Sequence, residues 1–335
     1  LCEPVLIGEL SVRSSASVGV AIGSTAQVDA DTLLAQADLA LYASKSAGKN
    51  TWCFFEAAMQ QRACMLVELE QELHQAVRDS EFVLHYQPIL NVSDHQPVEF
   101  EALIRWNHPS RGLLLPGEFL EAVERNRLIV PMTFWIIGEA LREAAVWTAA
   151  GVDAGIAVNL ATAVFEIEGI VEHIVSRLQA EGLSPQRLTV EVTEGAMGSR
   201  SKAVSVLERL RQLGVRVAID DFGAGHSSLG RLDQIPVDVL KIDRMFIASA
   251  TERRKSILHA TIDLARSLGL QTVVEGVETD AQFALAKRYA ADGVQGFLLA
   301  TPMPSREIPA WFRILAKQRL SGEATDSLLT SCVTG

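Results

Sequence analysis

Residues 215–225 read VRVAIDDFGAG: an apolar run that ends in two adjacent carboxylates, Asp220 and Asp221, followed by Gly223 and Gly225. A short run of this kind closed by glycine is the pattern of a buried strand. Working outward in both directions, the same pattern recurs with one polar group each time. Glu101 sits in PVEFEALIRW, Asn159 in IAVNL, Glu191 in LTVEVTE, Lys241 in VLKIDR, Glu275 in TVVEGVE and Gln295 in GVQGF. Between most of these runs lies an amphipathic stretch long enough for a helix. Parallel strands need long crossovers, and repeated right-handed crossovers over about 250 residues close into a (β/α)8 barrel. The expected fold is therefore α/β, a TIM-barrel-like domain in which C-terminal strand ends bring these residues to one cavity.

Taken singly, an Asp or Glu after a strand is usually a helix cap or a solvated loop residue. Seven positions in register call for another explanation. Consecutive strand residues point to opposite faces, so Asp220 and Asp221 both face one cavity only if the strand ends there, and the two glycines supply that turn. Lys241 and Asp243 share one face of VLKIDR, opposite Leu240 and Ile242, and a charged pair in an apolar strand is costly unless paired or functional. Carboxylates so gathered cannot all stay ionised without a counter-charge. Hard oxygen ligands suit Mg²⁺ or Mn²⁺. The residues alone thus point to a metal-dependent hydrolase or lyase with an oxyanion substrate.

From about residue 71 to 316 the chain resembles the EAL-domain cyclic di-GMP phosphodiesterases, carrying in order HYQPI, EALIRW, VNL, EVTE, DDFGAGHSSL, KIDR, EGVET and QGF. The resemblance implies that Glu101, Asn159, Glu191 and Asp220 ligate a first divalent metal and that Asp221 joins a second. Lys241 and Glu275 are then catalytic, Glu275 as base or metal ligand, and Glu194 steadies the DDFGAGHSSL loop. Gln87, Leu103, Arg105, Asp243, Glu278 and Gln295 become substrate contacts, the planar fork of Arg105 suiting a phosphate. Two metals would activate a water and clamp the attacking and leaving oxygens at phosphorus, opening cyclic di-GMP to 5′-pGpG. Mg²⁺ or Mn²⁺ is expected to activate and Ca²⁺ to bind but inhibit. The departures from the family pattern, such as Val274 before Glu275 and His226 in the loop, remove no ligand. The competing reading is a receptor that binds the dinucleotide without cleaving it. An enolase-type barrel leaves DDFGAGHSSL unexplained, and a kinase lacks its glycine-rich loop and catalytic segment.

Residues 1–57 contain ASVGVAIG and ADTLLAQADLALYASKSAGKN, which resemble the C-terminal portion of a GGDEF diguanylate cyclase domain without its GGDEF signature. One helix and a strand or two bury little surface alone, so this piece is expected to be a remnant without cyclase activity. Residues 58–78 carry Met65, Leu66, Leu69, Leu73 and Val77 at helical spacing, a connecting helix. The barrel is expected over 79–317 and a mobile tail over 318–335. A start at Leu1 fits a fragment of a longer protein.

The net charge of −11 argues against a nucleic acid polymer as partner. Cys2, Cys53, Cys64 and Cys332 form no CxxC pair, and the seven histidines form no HxH or HExxH. Neither a zinc cage nor a disulfide framework is expected, and reduced thiols fit a cytoplasmic location. No run is apolar and long enough to span a bilayer, so no membrane contact is expected within this chain. The resemblance implies a homodimer.

Overall fold

The fold was read from a computed structural model that describes residues 5–7, 10–12, 15–23, 28–46, 50–193, 195, 202–223, 235–248 and 251–321. The chain divides into two compact units. One comprises Leu1–Asp79 with Gly117–Asn126, the other Ser80–Pro116 with Arg127–Gly335.

In the first unit, β1 (Val5–Ile7) and β2 (Leu10–Val12) pair antiparallel, while β3 (Val18–Val20) and β4 (Trp52–Phe54) pair in parallel. Helix α1 (Ala30–Ser46) forms the crossover that parallel strands require. It lies so close to β3 that a Cβ on Gly19 would sit 2.1 Å from the Ala37 carbonyl oxygen, and only glycine fits. Helix α2 (Ala57–Arg78) buries Leu66, Leu69, Leu73 and Ala76 on one stripe. Helix α3 (Pro116–Arg125) belongs to this unit as well. Tyr42 Oη donates to Glu121 at 2.5 Å, and Arg125 pairs with Glu121 at 2.8 Å while lying over the Tyr42 ring.

The second unit is a closed barrel of eight strands, as expected. Its strands are β5 (Phe82–Asn91), β6 (Pro97–His108), β8 (Gly155–Asn159), β9 (Leu188–Thr193), β10 (Arg216–Phe222), β11 (Val239–Ile242), β12 (Gln271–Val274) and β13 (Gly293–Val294), in that order around the wall, with β5 paired to both β6 and β13. Short strands β7 (Gly112–Leu114) and β14 (Met303–Pro304) extend β6 and β5. From β6 to β13 neighbouring wall strands are parallel, whereas β5 is antiparallel to both of its neighbours. The reason is connection length. The turn between Asn91 and Pro97 is far too short for a crossover, so β5 and β6 must form a hairpin.

The crossovers between parallel strands carry α4 (Ile129–Ala149), α5 (Ile170–Ala180), α6 (Lys202–Gln212), α7 (Met245–Ala248), α8 (Glu252–Ser267) and α9 (Asp280–Arg288), and α10 (Ile308–Ser321) follows the last strand. Thr251 caps α8, and a reciprocal Thr279–Gln282 capping box starts α9. Outward-facing Phe100, Ile156, Val158, Val190, Val217, Ile219, Leu240 and Val274 are all fully buried. Each such side chain contributes about 1.5–3 kcal/mol by leaving water.

Inward-facing residues form layers, because side chains two apart share a face. Ile89, Ala218, Val239 and Val273 make an apolar cluster. Two residues further along the chain from Ala218, Val239 and Val273, that layer gives way to Asp220 of β10, Lys241 of β11 and Glu275 just beyond β12. Beside the apolar layer, Glu99 accepts a hydrogen bond from Thr189 Oγ1, and burial pushes its carboxyl above the usual range.

Candidate active site

Lys241, only 1% exposed, is the centre of the polar layer. Its Nζ lies 3.1 Å from Glu101, 2.9 Å from Glu191, 3.4 Å from Asp220 and 2.8 Å from Glu275, four carboxylates from four other strands or strand ends. Burial alone favours a neutral amine. The surrounding carboxylates outweigh it, led by Glu101, and hold the ammonium well above its ordinary pKa.

Amide groups orient the same cluster. Asn159 Nδ2 donates to Glu101 Oε1 at 2.8 Å, and Gln295 Nε2 donates to Glu101 Oε2 at 2.7 Å and to Gln87 Oε1 at 3.1 Å. Gln87 in turn donates to the Ala300 carbonyl. Burial works against the Glu101 carboxylate, but the Lys241 ammonium and these donors bring its pKa below the ordinary value. Glu191 has the opposite balance. Burial, reinforced by repulsion from Glu101, lifts it well above the carboxylate range. Burial likewise pushes Glu275 up to about 7 and raises Asp221, which also faces Asp220.

Asp220 and Asp221 reach the cavity by a route the sequence did not reveal. Strand β10 does not end at the pair but continues to Phe222, with a register irregularity between Ile219 and Phe222 against β11. Asp221 adopts φ +54°, the left-handed region that Asp tolerates better than most residues. This local bulge breaks the strict alternation of faces.

The chemistry of the donors fits a divalent cation. One oxygen each from Asp220, Asp221 and Glu275 lie within 4.8 Å of one another. Among the described residues, Glu191 Oε2 and Gln295 Oε1 are buried without a hydrogen-bond partner, a cost that a bound cation would offset. Five carboxylates against one ammonium leave a surplus of negative charge in the same place.

Beside the cluster opens a cleft of about 320 Å³, lined by Gln87, Glu101, Leu103, Asp221, Asp243, Glu275, Glu278 and Gln295 among others. Thus, Lys241 itself apart, all but three of the expected site residues line it or ring Lys241. Asn159 stands at the end of β8, bonded to Glu101. Arg105 is buried, donates to the Ile104 carbonyl and is not among the residues lining the cleft. Glu194 and residues 224–229 of the DDFGAGHSSL motif lie outside the described residues, as do Cys2 and Cys332 and the expected tail beyond 321. The cleft also includes Arg244, Gly276, Gly296 and Phe297, which sequence reasoning had not assigned. Their signal was weak, each being a common residue next to a stronger motif position.

The family model for the EAL domain matches residues 70–302. The chain belongs to the EAL domain family. Over 92% of its length it is 39% identical to the bifunctional diguanylate cyclase/cyclic di-GMP phosphodiesterase MucR of Pseudomonas aeruginosa, covering 46% of that protein. It is 32% identical over 94% of its length to the cyclic di-GMP phosphodiesterase PdeR of Escherichia coli, covering 48% of it. The chain thus spans less than half the length of these relatives. Among solved structures, the PaMucR phosphodiesterase in its c-di-GMP complex superposes with a TM-score of 0.69 at 40% identity, covering 72% of this chain and 99% of that one. The EAL enzyme Bd1971 bound to cAMP and cyclic di-GMP gives 0.72 at 26% identity, covering 86% and 77%. Among the described residues, no helix is long and apolar enough to cross a membrane.

Proposed function

We propose that this EAL domain hydrolyses one phosphodiester of cyclic di-GMP to give linear 5′-pGpG, using two divalent cations, Mg²⁺ or Mn²⁺. The observation that carries this reading is the ring of Glu101, Glu191, Asp220 and Glu275 around buried Lys241, with Asp221 beside it. Glu101, Asn159, Glu191 and Asp220 would hold the first metal and Asp221 would join the second. When bound, such a pair supplies an activated water and charge neutralisation at phosphorus.

The remaining steps fall to the chain's own groups. Lys241, held protonated by its neighbours, presents a fixed positive charge in a site shielded from water, where it acts on charge developing at the phosphoryl oxygens without reorganising. Glu275 Oε1, 2.8 Å from that ammonium and with a pKa of about 7, is able to hold or release a proton near neutral pH. Gln295 and Gln87 fix the orientation of Glu101. Leu103, Asp243 and Glu278 border the volume where the substrate would lie. Arg105 is proposed as a contact to the phosphodiester that is cut, and Glu194 as the support of the DDFGAGHSSL loop. Ca²⁺ would bind the same carboxylates and inhibit.

The cyclic di-GMP phosphodiesterase activity for which MucR and PdeR are named supports this reading. The test is anion-exchange chromatography of cyclic di-GMP incubated with the protein and Mn²⁺ beside an EDTA control. Metal-dependent appearance of pGpG is expected; intact but bound cyclic di-GMP would make the domain a receptor instead. We also read residues 1–57 as the C-terminal portion of a GGDEF domain. The β3–α1–β4 crossover and a 314-residue alignment with MucR that extends into this region support that reading. A cytoplasmic homodimer is the proposed setting, and sedimentation of the purified chain tests the oligomeric state.

A further inference from the structure

Cyclic di-GMP carries two phosphodiesters, and only one would lie at the metal ligands. The other must enter a cleft whose wall includes Glu101, Asp221, Asp243, Glu275 and Glu278. An anion brought among carboxylates needs a cation of its own. Lys241 is committed to four carboxylates, and Arg105 does not line the cleft. Arg244 does line it. Its side chain is exposed, and its guanidinium has no hydrogen bond or ion pair among the described residues.

The position of Arg244 is built rather than accidental. A Cβ on Gly276, which has φ +66°, would lie 2.3 Å from the Arg244 Cβ, so the glycine after β12 makes room for the arginine stem. On the other side, a Cβ on Gly223, with φ +96°, would lie 2.3 Å from Cε2 of Phe246. Between these two close approaches, Asp243 Oδ1 accepts the backbone N–H of Met245 at 2.7 Å. The turn from Asp243 to Phe246 is therefore wedged between the ends of β10 and β12. That wedge fixes the base of an otherwise free guanidinium at the cleft.

We propose that Arg244 pairs with the phosphodiester of the cyclic dinucleotide that is not cut, and so sets affinity for a substrate with two phosphates. This inference rests on the phosphodiesterase reading. A planar fork of donors engages a phosphate through two parallel hydrogen bonds, which a lysine cannot reproduce in full.

Steady-state kinetics with Mn²⁺ would compare Arg244→Ala and Arg244→Lys with the wild type on two substrates. These are cyclic di-GMP and bis(p-nitrophenyl) phosphate, which has a single phosphodiester. For Arg244→Ala, KM for cyclic di-GMP should rise about 10- to 100-fold, with a much smaller change in kcat. The loss in kcat/KM on the single-phosphate substrate should be at least about tenfold smaller, and Arg244→Lys should recover part of the affinity. An unchanged KM for cyclic di-GMP, or equal losses on both substrates, overturns the proposal. Wild-type protein that cleaves neither substrate refutes the phosphodiesterase reading instead. Arg244 is then judged on the dissociation constant for cyclic di-GMP, which Arg244→Ala must raise by the same factor. Absence of binding by the wild type overturns both.

Discussion

Replacing Lys241 by methionine keeps an apolar stem and removes the ammonium that four carboxylates share at 2.8–3.4 Å. In metal-free protein the lost charge is restored only if one of those carboxylates binds an additional proton. Keeping a carboxyl protonated in the fold costs about 1.4 kcal/mol per pH unit above its unfolded value of about 4.3. The penalty is therefore about 1 kcal/mol at pH 5 and about 5 kcal/mol at pH 8. The upper figure agrees with the roughly 3–5 kcal/mol lost when one partner of a buried ion pair is removed. The sign follows from proton counting. The folded variant binds more protons than its unfolded chain, so its stability falls as pH rises. Saturating Mn²⁺ should cancel most of the loss, because the cation replaces the missing charge. Urea unfolding of wild type and Lys241→Met, followed by tryptophan fluorescence at pH 5, 6.5 and 8 in EDTA and again with saturating Mn²⁺, measures the loss, its pH dependence and its rescue. A destabilisation that does not grow with pH, or one that Mn²⁺ leaves untouched, would refute the charge accounting.

Four further outcomes are expected. Glu275 has a folded pKa of about 7, above the ordinary 4.5, so metal-free protein loses stability as pH rises between those values, and a metal entering near pH 6.5 must displace protons. Calorimetric titration with Mn²⁺ in two buffers of different ionisation heat should report proton release of about one or more per protein; none would mean that Glu275 and Glu191 are already ionised. Glu101→Ala should lower turnover by at least about a thousandfold even at saturating metal, read by pGpG formation; near wild-type rates would displace Glu101 from the metal site. Gly276→Val combines φ +66° with a 2.3 Å approach to Arg244 and should cost about 2 kcal/mol or more in unfolding free energy. At the far end of the same strand as Arg105, Glu99→Gln replaces a carboxyl that burial holds toward its neutral form with a neutral amide, so urea unfolding at pH 8 should show stability retained within about 1 kcal/mol or improved.

The parallel wall and its ring of polar groups were legible because both obey short periods: apolar runs end in a functional residue, with helix-length spacers between most of them. Asp220 and Lys241 announce themselves as charges at the end of, or within, otherwise apolar strands. The reversed first strand was not read, although its cause is local, five residues between two long runs. The bulge at Asp221 depends on a left-handed backbone angle, and Asp is common enough in strands and turns alike to hide it. Arg105 and Arg244 show the limit of motif reading. Both are arginines near a catalytic strand, and only three-dimensional packing separates the buried one, bonded to its own neighbour's carbonyl, from the one that lines the cleft. Nor does sequence hint that α3, lying between two barrel segments, belongs with α1 and α2, since its ties are single side chains such as Tyr42 and Arg125.

The hairpin of β5 and β6 has a consequence for where the barrel begins. In an all-parallel barrel the chain arrives at the floor, remote from the chemistry. Here Phe82, the first residue of β5, pairs with Trp106 near the outgoing end of β6, so the polypeptide enters at the same rim as the cleft. Three positions along from Leu84, Gln87 already bonds to the amide that holds Glu101. The barrel's own first strand thus runs from the rim inward, and its opening residues lie within one strand's length of a proposed metal ligand without crossing the barrel's apolar floor.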